Sequence, residues 1–340
     1  MTISTSEPVT TTTRDASRLR GLQGDRLRGL GPLMALVVVG VVFAVLNPST
    51  FPTGDNLLTI LDQAAVPLIL AMGATFVILM GSIDLSVEGV MAASGLTFVL
   101  LTANTTNSND LGPLAVVIAL SLGLAFGLII GAIHARLRVP SFIVSLGFWY
   151  IGLGMATVMY GDAVTQLRDS ALTRWISGTP LAVSNSFLVA VVVVVAAHLL
   201  ARYSTFGRDT YAIGDNEQVA SLAHVPISRV KIMVFGFAGL CSGLAGVIGS
   251  LRLGAGVVEV GSGQVFFTIA AIVVGGTVLS GGKGGVLYSV VGVLLLTVIN
   301  NGLVLSGVNP NVQQAFFGLI ILAAVLVTGL RRRSILGVVK

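Results

Sequence analysis

The sequence predicts an all-α polytopic membrane protein with about ten transmembrane helices, some of them broken, and with both termini cytoplasmic. Three observations carry this expectation. Only 10 % of the 340 residues are charged and 54 % belong to the hydrophobic set, with a mean hydropathy of +0.97. A soluble domain carries about 25 % charged residues, so a water-facing surface of this size would lack the charge to cover it. Ten apolar stretches can be read along the chain, and its basic residues fall almost entirely on alternate sides of them.

The stretches are 32–46, 57–80, 90–103, 113–133, 141–160, 187–200, 232–249, 266–279, 286–305 and 315–330. Several fall short of the roughly 20 residues of a full crossing and flank glycine-rich or polar segments, which is why broken helices are expected at the third and eighth. Residues 1–30 are Ser/Thr-rich and then Arg-rich, and predict a disordered cytoplasmic tail. The first stretch follows Arg26 and Arg28 but is succeeded by Asn47-Pro48-Ser49-Thr50, which offers no small-x-small cleavage site, so an uncleaved anchor is expected. The membrane domain then covers 31–331, with a short cytoplasmic tail over 332–340.

Charge gives the direction. With the N-terminus inside and ten crossings, 16 of the 19 basic residues lie on the inner segments, and Arg168, Arg174 and Arg252 are the three outside. The excess of Lys and Arg on cytoplasmic loops sets orientation, so the net charge of +5 speaks for a membrane rather than for nucleic acid. Glycine is abundant, with 42 residues. Gly123, Gly127 and Gly131 share one face of the fourth stretch, and Gly239 and Gly243 repeat the spacing in the seventh. Such small faces let helices cross closely.

Three connections are informative. Segment 81–89, Gly-Ser-Ile-Asp-Leu-Ser-Val-Glu-Gly, carries two acids and no base. It reads equally as a short cytoplasmic loop or as non-helical backbone packed within the protein, which is tolerated only where protein or water satisfies it. The long inner segment 202–231 is expected to hold a short amphipathic helix, N-capped by Asp215 with Gln218 completing a capping box and stopped at His224-Val225-Pro226. A solvated connector and a docking helix for a cytoplasmic partner are its two readings. The glycine-rich run 275–285 contains Lys283 but lacks the G-x-x-x-x-G-K-[ST] pattern of a phosphate loop. A tight turn between close-packed helices is expected there instead.

Catalytic chemistry is absent from the pattern. His134, His198 and His224 are not at metal-ligand spacing with acids or cysteine. Cys241 is the one cysteine, and no G-x-S-x-G elbow occurs. Asp62 is the one acid within a clear apolar run. It reads as an interfacial group or as the ionisable residue of a proton-coupled carrier.

Four motifs in order resemble a known family. Ile83-Asp84-Leu85-Ser86-Val87 after a long apolar stretch is similar to the signature of ATP-binding-cassette importer permeases of the ribose/monosaccharide type, within the branched-chain amino-acid/ribose permease superfamily. Gly207-Arg208, Tyr211-Ala212-Ile213-Gly214 and Asn216-Glu217 resemble that family's coupling loop. Gly275-Gly276-Thr277 with Gly281-Gly282-Lys283-Gly284 resembles its glycine-rich turn, and Asn300-Asn301-Gly302-Leu303 with Gly307-Val308 its penultimate helix.

The resemblance implies a permease subunit without enzymatic activity or cofactor of its own, in a bacterial inner membrane. It implies import of a monosaccharide or related polyol, a second permease subunit, identical or not, an external substrate-binding protein, and two cytoplasmic ATPases that hold ATP and magnesium. A nucleoside-like substrate and a proton-coupled carrier using Asp62 remain alternatives. It makes 202–231 a coupling loop in which Gly214, Asp215, Asn216, Glu217, Ala220 and Leu222 meet the ATPase. Asp62, Gln63, Asp84, Ser86, Glu88, Phe266, Asn300 and Asn301 become candidates for the translocation path. The sequence departs from the family at Glu88, where glycine is usual, at Val265 and Phe267, where acids are typical, and at Asp62, where glutamine is common. These departures leave the substrate open.

Overall fold

The structure, a computed structural model, describes residues 30–309 other than 162, 169–170, 177 and 180–181, together with 312–313, 315, 318–319 and 322. The stretch expected at 315–330 and the tails at 1–30 and 332–340 lie mostly or wholly outside the described residues.

The described part is mainly helical, with one two-residue β ladder, an isolated bridge between Asn104 and Leu167, and irregular connections. The long elements are α1 (Leu30–Leu46), α2 (Gly54–Leu79), α3 (Val87–Leu101), α4 (Pro113–Leu137) and α5 (Ser141–Tyr160). They are followed by β1 (Thr165–Gln166), α6 (Ala171–Ile176), α7 (Asn185–Tyr203), α8 (Thr205–Asp215), α9 (Glu217–Leu222) and α10 (Ile227–Leu253). The chain continues through β2 (Ala255–Gly256), a 3₁₀ turn at Val258–Gly261, α11 (Gln264–Gly275) and α12 (Val286–Leu305). Among the described residues, seven helical segments are long and apolar enough to cross a membrane, and α1 and α3 are shorter apolar helices. Nine of the ten apolar stretches thus coincide with helices.

The core follows from residue size. α2 is apolar on every side and is buried almost continuously from Ala64 to Leu79, as expected of a helix surrounded by others. Pro67 sits inside it without ending it. α10 lies against α2, α3 and α4 through a line of small residues. The two glycine faces foreseen in the sequence meet each other there. A Cβ on Gly123 would stand 3.0 Å from the Gly243 Cα, and one on Gly239 would overlap the Gly123 carbonyl oxygen. α11 and α12 cross just as closely, Gly275 against the Tyr288 carbonyl and Gly292 against that of Ala271. By contrast α5 and α7 keep large apolar side chains exposed, such as Phe142, Ile143, Tyr150, Val192 and Val195, which in a membrane face lipid or another subunit.

Three expectations need correction. Segment 202–231 holds two helices rather than one, because α8 runs from Thr205 to Asp215 before α9 begins. Asp215 is therefore the last residue of α8, and the N-cap of α9 is Asn216, whose Oδ1 accepts from the Gln218 and Val219 amides at 3.0 and 3.1 Å. The eighth helix starts earlier and ends at Gly275 rather than 279, since Gly276 takes a left-handed conformation at its C-terminus.

Candidate functional site

Two regions at opposite ends of the bundle concentrate the residues singled out by sequence. The first gathers the break after α2, the coupling segment and the glycine-rich turn.

The break at 80–86 is partly buried: Ser82, Asp84 and Ser86 face the interior, while Gly81 and Ile83 are exposed. Its backbone is satisfied by α5: the Ile83 amide donates to Ser141 Oγ and the Leu85 amide to Ser145 Oγ, each at 3.0 Å. Asp84 Oδ1 accepts from the Ser86 amide at 2.8 Å and from the Ser86 hydroxyl at 2.6 Å. Both side chains are buried. The acid and serine of the signature therefore bond each other and hold a non-helical turn where unsatisfied backbone would be costly.

The glycine-rich turn docks on this break and on α8. The Gly282 amide donates to the Leu79 carbonyl at 2.9 Å, and the Tyr211 hydroxyl to the Gly284 carbonyl at 3.0 Å. Burial, with Tyr288 nearby, holds the Tyr211 hydroxyl above its ordinary pKa. Gly214 is wedged at the centre: a Cβ there would overlap the Leu79 carbonyl oxygen and stand 2.6 Å from the Gly282 amide. Gly282 also faces Asp215, with φ +73°. The end of α8 is thus in direct backbone contact with the end of α2.

Beyond this seam stands α9. Glu217 pairs with Lys231 on α10 at 2.9 Å, and Ala220 is buried. Leu222 is 81 % exposed and Val219 59 % exposed. Val219 escaped the sequence reading, although its i+3 relation to Leu222 puts both on one face.

The second region is a cavity of about 830 Å³ at the opposite end, between α2, α10, α11 and α12. Of the eight path candidates, Asp62, Gln63 and Asn300 line it. Asp62 does not simply reach toward an interface: it forms an ion pair with Arg252 at the end of α10, 2.5 Å away, and accepts from the Ser184 hydroxyl. It ties α2, α10 and the start of α7 together at the cavity rim. The remaining five lie elsewhere. Asp84 and Ser86 belong to the break at the other end. Glu88 is buried and accepts from the Val265 amide at 3.2 Å, joining α3 to α11. Phe266 is 55 % exposed and turned away, while its neighbour Phe267 lines the cavity. Asn301 is buried and is not part of the lining. Gln264 and Thr297 line the cavity and were missed. Thr297 stands three residues before Asn300 on α12, a spacing that could have revealed it.

A shallower cleft of about 560 Å³ adjoins the rim and is lined by Arg168, Arg174 and Arg252. The three basic residues assigned to the outer side by charge counting thus meet in one place.

A partly buried backbone break, small-residue crossings and a partly polar cavity within an apolar bundle define a multi-pass membrane permease. The chain belongs to the family described as the branched-chain amino acid transport system permease component, which matches residues 56–325. It is 37 % identical over 300 residues to the ribose import permease protein RbsC of Escherichia coli, covering 87 % of this chain and 92 % of that one. It is 32 % identical over 302 residues to the D-allose transport system permease protein AlsC of Escherichia coli, with 87 % and 90 % covered. To the fructose import permease protein FruF of Bifidobacterium longum it is 31 % identical over 282 residues, with 81 % and 78 % covered. No solved structure matches the chain.

Proposed function

We propose that this chain is the membrane-spanning subunit of an ATP-binding-cassette importer, taking up a monosaccharide handed over by an external binding protein. The import relatives named for ribose, allose and fructose support the substrate class. In this proposal the chain crosses the inner membrane ten times, keeps both termini in the cytoplasm, pairs with a second permease subunit and engages two ATPases that bind ATP and magnesium.

One observation carries the mechanism: α2 touches both regions. Its last carbonyl, Leu79, is held by Gly282 and wedged against Gly214, while Asp62 and Gln63 line the cavity. Between Gln63 and Leu79 a straight helix spans roughly 24 Å. A displacement of α8 and α9 by the ATPases pushes on the end of α2, and this helix, buried from Ala64 to Leu79 with Pro67 inside it, transmits it to the cavity wall. Exposed Val219 and Leu222 supply the face on which an ATPase docks. Asp62 has a fixed cationic partner in Arg252, and its place is that of a strut between helices.

Uptake of radiolabelled D-ribose, D-allose and D-fructose into proteoliposomes tests this. With the chain, its partner ATPase and its binding protein present, at least one of these sugars should accumulate only when ATP is enclosed. Accumulation by the chain alone, driven by a pH gradient, would overturn the proposal in favour of a secondary carrier.

A further inference from the structure

We propose that the cavity is itself a binding subsite for one neutral, polyhydroxylated molecule of monosaccharide size, held by Gln63, Gln264, Thr297 and Asn300. The inference rests on the transport function proposed above and extends it, since it gives the permease ligand contacts of its own.

Three helices contribute: α2 brings Gln63, α11 brings Gln264, and α12 brings Thr297 and Asn300 one turn apart. Gln63 Oε1, Gln264 Oε1 and Thr297 Oγ1 are buried and make no hydrogen bond within the protein. Thr297 is 3 % exposed. A buried polar atom without a partner is costly, and three around one cavity mark a place where a ligand's hydroxyls restore the missing bonds. Amides and hydroxyls both donate and accept, which matches a sugar hydroxyl in either direction. Phe267, Val66 and Val260 form apolar wall between them, suited to the C–H faces of a sugar ring. A cavity of about 830 Å³ lies within the range of ligand sites.

Charge decides the class of ligand. Among the described residues, the charged groups of the lining are Asp62 and Arg252, and they are paired with each other. Among the described residues the lining itself holds no uncompensated cation to meet a sugar phosphate or sugar acid, Arg168 and Arg174 lying outside it in the adjoining cleft, and burying an unpaired charge is expensive. The site therefore favours neutral polyols over anionic ones.

The test uses the assembled transporter in proteoliposomes without ATP. Cys241, the single native cysteine of this chain, is buried, so within this chain a thiol placed at Gln63→Cys or, separately, Asn300→Cys, two half-buried positions of the lining, is the one that reacts with a membrane-impermeant methanethiosulfonate. At saturating concentration, at least one of D-ribose, D-allose and D-fructose should slow the reaction about fivefold or more, and D-gluconate should not. Adding Gln264→Ala should raise the sugar concentration needed by roughly 3- to 10-fold, the effect of one lost hydrogen bond. No protection at either cysteine by any of the three sugars, or equal protection by gluconate, overturns the subsite. If wild-type transporter still imports sugar with ATP, that failure leaves the transport function standing; protection without ATP-driven uptake would keep the subsite and overturn the transport function.

Discussion

Replacing Gly214 by alanine is expected to destabilise the protein by about 1–3 kcal/mol, and replacing it by valine to prevent normal folding. The reason is backbone against backbone. The added carbon overlaps the Leu79 carbonyl oxygen and presses on the Gly282 amide, and the Gly282–Leu79 hydrogen bond at 2.9 Å leaves neither side free to retreat without losing it. Alanine is a better helix former than glycine by about 1 kcal/mol, so any loss at Gly214→Ala runs against intrinsic propensity. Gly154→Ala is the control: it lies in α5, where a Cβ meets nothing within 4 Å, and it should be neutral or slightly stabilising. Thermal unfolding in detergent, followed by size-exclusion chromatography, checks the pair. Equal midpoints for Gly214→Ala and Gly154→Ala would remove the seam from the account.

The second large effect is expected at the crossing of α4 and α10. Gly239→Val puts a branched side chain where the Gly123 carbonyl oxygen and the Gly127 Cα already stand, the latter 2.9 Å from a built Cβ. The helices must separate, and with them the packing of Cys241, which is buried on the same helix. Burial pushes its thiol out of reach of reagents in the folded protein. The variant should therefore label at Cys241 with a maleimide many times faster than wild type. An unchanged labelling rate in a monodisperse sample would show that the crossing can absorb the side chain.

This crossing was legible in advance because both partners carry glycine at the helical repeat, so each face announced itself within one stretch. α8 was not. Its buried positions are Gly207, Thr210 and Ile213, spaced for a helix but mostly small or polar, and a hydropathy pattern does not register a face that packs by being small. Misplacing the cap of α9 follows from the same gap. Asp215 and Asn216 are equally good N-caps, and the continuation of α8 through Asp215 decides between them. The cavity was half legible. Gln63 is a polar residue within an apolar run, and Asn300 belongs to the motif that resembles the family's penultimate helix. Gln264 stands at the very start of its helix, where a polar residue is ordinary. The Asp62–Arg252 pair spans 190 positions of chain, and nothing local in either segment foretells it. The signature acid and serine were read as path groups. Their hydroxyl and carboxylate instead satisfy each other, and a motif alone does not distinguish a residue that contacts a ligand from one that holds a turn.

The account's central claim is that ATP hydrolysis in partner subunits reaches the cavity through α9, the seam and α2. Its most direct test is ATP hydrolysis by the assembled transporter, with and without sugar-loaded binding protein, for wild type and for Val219→Asp combined with Leu222→Asp. Both side chains are exposed, so the variant chain should fold and elute like wild type. It should lose co-purifying ATPase and the stimulation of hydrolysis by loaded binding protein. Full retention of both in the double variant would contradict the claim.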